Sequence, residues 1–127
     1  MTEPAEDLKK RLARTRQIKI SVTGRKSGAT ITIPVWFVLE SDKLHLLPVN
    51  GSETQWFKNL KKNRILGIST GGLEAKFKPV LVRDPTAIKA VVEKFRAKYG
   101  AADVKRYYRK FDVAVRVGLS RPASAAV

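Results

Sequence analysis

The residues best suited to chemistry lie between Thr23 and Trp36, where Gly24-Arg25-Lys26-Ser27-Gly28 leads into a strand-like run ending Pro34-Val35-Trp36. Glycine reaches positive φ without steric cost, so Gly24 and Gly28 allow the chain to fold back and aim consecutive N–H groups at one point. Arg25 and Lys26 add charge there and Ser27 a hydroxyl, a composition that suits a phosphate cradle. It equally suits a hairpin connection with solvated cations, and the turn alone does not decide between the two. It is not a P-loop, because the Walker glycine spacing and terminal Lys-Ser/Thr are absent, and no G-x-G-x-x-G run occurs. Pro34 has no N–H to give a strand partner and so marks a bulge or a sheet edge. Backbone left free beside Pro34, Val35 and Trp36 could meet a flat ligand; a plain edge proline with Trp36 and Phe37 in the core is the simpler alternative.

Other chemistries find little support. The chain has no cysteine, which rules out disulfides, thiolate zinc sites and a cysteine nucleophile, and its single histidine, His45, leaves no imidazole cluster. His45 lies among apolar strand residues, a setting more often structural than catalytic. Interleaved Tyr107, Tyr108 and the bases Lys105, Arg106, Arg109 and Lys110 resemble a base-stacking platform. Their helical spacing instead turns the tyrosines inward and leaves the cations as a rim.

The elements that position these residues follow from periodicity. At 127 residues and 43% hydrophobic, the chain is read as one domain, 1–127, with a core that buries roughly two-thirds of the unfolded surface. Leu8 and Leu12, with acids before bases, predict a helix within residues 1–15. Ile18, Ile20 and Val22 alternate with polar residues and predict a strand over 16–23; a long second strand is expected over 30–40. Ser41-Asp42 turns the chain into a third strand over 43–49. Ser52-Glu53-Thr54-Gln55 reads as a capping box that starts a helix reaching about Lys62, with Trp56 and Leu60 on one face.

Strands over 64–70 and 73–83 are joined by Gly71-Gly72, the second interrupted by Pro79. Asp84-Pro85 then opens a helix that Gly100 closes, with Ile88, Val91, Val92, Phe95 and Tyr99 on its inner face. A shorter helix over 101–110, a strand over 112–119 and a frayed tail over 120–127 complete the chain. Helices that do not alternate regularly with strands exclude a doubly wound parallel sheet. The expected fold is mainly β with flanking helices, an antiparallel barrel split at one side.

The net charge of +15, from 26 Lys and Arg against 11 Asp and Glu, predicts a positive field that attracts anionic ligands. Cations spread through every segment, with no RNP-like aromatic motif, argue against a specific nucleic-acid interface, although a basic nucleic-acid-binding barrel stands as an alternative. No run approaches the roughly 20 apolar residues of a membrane span. The expectation is a soluble, cytoplasmic protein.

Taken in order, Gly24-Arg25-Lys26-Ser27-Gly28, Pro34-Val35-Trp36, Leu47-Pro48-Val49-Asn50-Gly51 and Trp56-Phe57-Lys58-Asn59-Leu60-Lys61-Lys62-Asn63 resemble the deazaflavin-dependent nitroreductase family of split-barrel flavin and deazaflavin oxidoreductases. The resemblance implies an FMN-binding type of split β-barrel that uses coenzyme F420 to deliver hydride to a quinone, enone or nitro compound. By matching position it implies that Arg25, Lys26, Ser27 and Gly28 hold the cofactor phosphate. Pro34, Val35 and Trp36, with Pro48, Val49, Asn50 and Gly51, would line the deazaflavin, and Trp56 and Asn59 would brace the closing helix. Ile31 stands where the family commonly has Arg, which leaves FMN open as an alternative cofactor, as it does a flavin or heme carrier on the same barrel. Hydride chemistry agrees with the missing catalytic constellation, because the cofactor carries the reaction and the protein supplies orientation and dryness. Tyr107 and Tyr108 are the candidate proton donors. A homodimer is expected, since so small a barrel leaves one wall of such a site open.

Overall fold

In the computed structural model the described residues are 4–119, with side chains described from residue 8, so the expected tail over 120–127 lies outside them. Eight strands form two four-stranded antiparallel sheets. The first has the order β2 (Thr30–Val35), β1 (Ile18–Thr23), β5 (Leu66–Thr70), β6 (Leu73–Phe77). The second has the order β3 (Val38–Glu40), β4 (Lys43–Leu46), β8 (Ala114–Gly118), β7 (Val80–Val82). Helices α1 (Pro4–Leu12), α2 (Gln55–Lys62), α3 (Pro85–Tyr99) and α4 (Ala101–Tyr107) flank them. This is the split-barrel arrangement of two sheets with helices outside.

Two expected strands each prove to be two. The run over 30–40 leaves the first sheet at Trp36-Phe37 and enters the second as β3, and the run over 73–83 does the same at Lys78-Pro79. Pro79 lies at the second crossing, where its missing N–H cannot continue a ladder, whereas Pro34 stays in register with Lys19 on the outer strand β2, two residues before the first crossing. At Phe37 the backbone is bonded to side chains instead of a strand. Its N–H donates to the Tyr99 hydroxyl at 3.1 Å, and its C=O accepts from Lys98 Nζ at 2.9 Å.

Alternation sorts the side chains into two clusters. Ile18, Ile20, Val22, Leu66, Ile68 and Phe77 of the first sheet meet Leu44, Leu46, Val115 and Val117 of the second, closed by Leu8 and Leu12 of α1 and by Trp56, Phe57 and Leu60 of α2. The other face of the second sheet, through Val38, Leu47 and Ala114, packs on Ile88, Val91, Val92, Phe95 and Tyr99 of α3 and Val104 of α4. Burial of each large apolar side chain contributes about 1.5–3 kcal/mol, so both clusters hold the second sheet from either side. The α3 boundaries are the ones read from sequence: the Asp84 carboxylate accepts from Ala87 N–H at 2.9 Å, Pro85 occupies the first turn, and Gly100 ends the helix at φ 97°.

Two local expectations are corrected. The start of α2 is Thr54, not Ser52, because Gly51–Glu53 form a separate 3-10 turn and the Ser52 hydroxyl is bonded to Asp112. Helix α4 stops at Tyr107, short of 110, and its face is split: Val104 and Tyr108 are buried, whereas Tyr107 is 49% exposed.

Candidate active site at the sheet crossing

The crossing from β2 to β3 opens a pocket of about 230 Å³ whose walls include Pro34, Val35, Trp36, Val49, Trp56, Tyr107 and Tyr108. These came from four separate stretches of sequence, and the fold brings them together. Strand β2 is the outer strand of its sheet, so among the described residues one edge of its backbone faces no strand partner beside the pocket. The Trp36 ring is held by its neighbours, stacked on Tyr99 at 4.3 Å with 5° between planes and meeting Tyr107 edge-on at 4.8 Å. Tyr108 sets its ring edge-on to Phe95 at 5.8 Å.

The phenols differ in environment. Burial, with the neighbouring tyrosines adding to it, pushes the Tyr108 hydroxyl well above the ordinary phenol range, so it holds its proton and serves as wall. Tyr107 stands half-exposed at the mouth.

The basic turn differs from expectation. Gly28 is at φ 73°, but Gly24 is not in the left-handed region; its lack of a side chain is needed because a Cβ there would lie 2.8 Å from Ser27 Oγ. Most turn amides are already satisfied: Gly24 N–H donates to Ala29 C=O, Gly28 N–H to Gly24 C=O, and Ala29 N–H to Ser27 Oγ. Arg25 is tied down twice over, its N–H and Nη1 donating to Asn59 Oδ1 at 3.1 and 2.8 Å and its Nη2 to Gln55 Oε1 at 2.8 Å. Arg25 therefore locks the turn onto α2, which is the physical role of buried Asn59. Exposed Lys26 and Ser27 remain for an anion. Because Trp56 lines the pocket while Gln55 and Asn59 hold Arg25, α2 couples the turn to the pocket.

Of the segment over 48–51, only Val49 reaches the pocket wall. Pro48 accepts from Gly51 N–H at 3.0 Å, and Asn50 N–H donates to Thr54 Oγ1 at 2.8 Å. Gly51 is buried at φ 55°, and a Cβ there would overlap Asp112 Oδ1. Asp112 in turn accepts from Ser52 N–H at 2.8 Å and from the Ser52 hydroxyl. Partial burial raises the Asp112 carboxyl, but these Ser52 bonds and Lys110 outweigh it and leave the carboxyl below its ordinary value. The segment thus forms a structural clasp between the second sheet and the chain leading into β8.

Three supporting residues escaped the sequence reading. Tyr99 reads as core in the sequence, yet its hydroxyl shares its proton between the Arg16 and Phe37 carbonyls at 2.6 and 2.8 Å while its ring backs Trp36. Lys98 sits 3.6 Å over the Phe37 ring; burial, with Arg16 close by, lowers it to about 8. Asp112 completes the clasp. None carried a signal, because their partners lie about 60 residues away. His45, outside the pocket, is buried on the helix-packed side of β4 and 3.7 Å from Glu40; burial lowers its pKa.

Two antiparallel sheets meeting at a crossing, with an aromatic-walled pocket there, define the class of split-barrel folds. Within that class, the chain belongs to the family described as uncharacterized protein conserved in bacteria (DUF2255), whose model matches residues 8–116. No curated relative matches the sequence. Solved structures share the fold. An F420-H2 dependent reductase, FDR-A, is 17% identical with a TM-score of 0.62 over 80% of this chain and 93% of its own. A protein described as a domain-swapped dimer is 15% identical with a TM-score of 0.64 over 91% and 99%. HutZ, a heme storage protein from Vibrio cholerae, is 12% identical with a TM-score of 0.65 over 91% and 89%. The first of these agrees with the family likeness carried by the sequence motifs.

Proposed function

We propose that the pocket at the β2–β3 crossing binds the ring of a deazaflavin of the coenzyme F420 type, and that the protein is a reductase acting on an electrophilic small molecule such as a quinone, enone or nitro compound. The observation that carries this reading is the convergence of an unpartnered strand edge, an apolar wall centred on Trp36, and a half-exposed phenol, Tyr107, in one pocket joined through α2 to a basic turn. The cofactor, when bound, supplies the hydride.

The chain supplies the rest. Pro34, Val35 and Trp36 present a flat apolar surface and keep water from one side of the ring, and the Tyr99 stack fixes the Trp36 plane. Lys26 and Ser27 receive the phosphate, while Arg25 holds their turn in place from behind. The Tyr107 hydroxyl, at the mouth, holds the proton for the reduced substrate; Tyr108 is too reluctant an acid for that role.

A pocket of about 230 Å³ is below the ~300–1,000 Å³ usual for a small-molecule site. A second copy of the chain therefore completes the wall, using the open β2 edge and exposed Ile31, an arrangement in keeping with the dimeric neighbour. FMN fits the same wall as an alternative ring, and a heme carrier is the remaining alternative on this fold.

Fluorescence titrations with F420 and FMN, an absorbance titration with heme, and an oligonucleotide titration separate these readings across a salt series. Ring burial is little screened by salt, so deazaflavin affinity is expected at about micromolar under physiological salt, while oligonucleotide affinity collapses. Reduced cofactor is expected to be oxidised by a quinone in the same buffer. Trp36→Ala should weaken binding by about tenfold or more. Lys26→Ala should weaken it without changing the melting temperature, unlike Arg25→Ala, which also frees Asn59. Salt-resistant oligonucleotide binding with no saturable flavin binding would overturn the reading.

A further inference from the structure

A second concave surface lies where the end of α1 meets the β5–β6 hairpin. Its main hollow, about 720 Å³, includes Lys10, Arg11, Arg14 and Thr15 on its wall, and it runs through shared Thr15, Thr70 and Gly71 into a hollow of about 370 Å³ bearing Lys19. Neither hollow shares a residue with the Trp36 pocket, and among the described residues no Asp or Glu lines either one.

The cations here are placed, not merely abundant. Lys10 and Arg14 are one turn apart, as are Arg11 and Arg14, and like charges at such spacing repel. Among the described residues none of Lys10, Arg11, Arg14 and Lys19 has an ion pair with a carboxylate. The dipole of α1 favours Lys10 and Arg11 in its last turn but does not account for Arg14 or Lys19 beyond it. The Arg11 guanidinium lies against Gly71, where a Cβ would come within 2.6 Å of Nη1, so the glycine makes room for it. Gly71 at φ 54° and Gly72 at φ 87° form the hairpin turn on the groove wall, and Thr15, Ser69 and Thr70 add hydroxyls.

We propose that this groove binds a small polyphosphorylated ligand of nucleotide size, with Arg11 and Arg14 as its principal donors. A guanidinium offers forked N–H pairs that match phosphate oxygens, and four cations with no acid among the described lining residues match a ligand carrying several negative charges. The volume accommodates a nucleoside di- or triphosphate and exceeds what a single phosphate needs. The site is independent of the proposed reductase pocket.

Calorimetric titration of the full chain with ADP, ATP and inorganic tripolyphosphate, at an ionic strength of about 0.15 M, tests this. Saturable binding is expected, weakened about tenfold or more by Arg11→Ala with Arg14→Ala. The charge-matched control, Lys89→Ala with Lys105→Ala on α3 and α4, is expected to change affinity by no more than about twofold, as diffuse charge is screened. In wild-type protein, the amide resonances of Gly71 and Gly72 should shift on titration, a readout independent of any variant's folding. Binding only to vesicles carrying a phosphoinositide, lost in the groove variant, would support the site and identify its phosphate source as a lipid headgroup. Equal losses in the two double variants, amide shifts confined to residues 24–28, or no binding of any phosphate probe would overturn the proposal.

Discussion

Replacing Tyr99 by Phe isolates the atom that fastens the sheet crossing. The ring stays, and with it the stack on Trp36, while the hydroxyl's bonds to Phe37 and Arg16 are lost. The Phe37 C=O retains Lys98, but the Phe37 N–H, which donates to the hydroxyl at 3.1 Å, is orphaned in a buried setting. An unsatisfied buried donor costs about 1–3 kcal/mol and the lost donated bond about 0.5–1.5 kcal/mol, so Tyr99→Phe should destabilise by about 2–3 kcal/mol after partial relaxation. For a chain of this size that lowers the melting temperature by roughly 6–12 °C. Thermal and denaturant unfolding read it directly. Because the Trp36 plane is set by the ring and not the hydroxyl, Tyr99→Phe should bind a deazaflavin ring within about threefold of wild type well below its melting point, whereas Tyr99→Leu should lose both stability and affinity. A Tyr99→Phe melting temperature within about 2 °C of wild type would refute the clasp at Phe37.

Gly51→Ala should destabilise by about 2–4 kcal/mol in denaturant unfolding, since the new Cβ must displace Asp112 from Ser52 and occupy a left-handed φ. Asp112→Asn should flatten the acid limb of stability: a carboxyl held below its ordinary value stabilises the fold above the unfolded pKa and loses that contribution as pH falls through the folded one, which pH-dependent urea midpoints would register. Lys98 gives a slope of the same sign in an alkaline window. Its folded pKa of about 8 lies below the ordinary 10.5, so between those values the unfolded chain binds more protons and stability rises with pH, a slope that Lys98→Met should remove.

Local pattern determined much of this protein. The Asp84-Pro85 start and Gly100 stop of α3, the alternation of Ile18, Ile20 and Val22, and the Gly71-Gly72 hairpin each rest on contacts within a few residues, where φ preference and side-chain period act directly. Pro34 and Pro79 likewise announced that two strands would be interrupted. Element order sufficed to expect an antiparallel split barrel, and the family resemblance implied a ring-binding wall at Pro34 to Trp36. Only the tertiary structure decided where each interrupted strand went, because crossing between sheets depends on which face finds a core partner. It also gave Arg25 to Asn59 across 34 residues, Asp112 to Ser52 across 60 and Tyr99 to Phe37 across 62. Such pairs have no period and no fixed spacing; they form when the sheets close and bring distant polar groups into one dry place. For that reason Arg25 and Gly51, which read as ligand-binding residues in sequence, also serve as fasteners in the fold, and Tyr99, which reads as core, supports the candidate site.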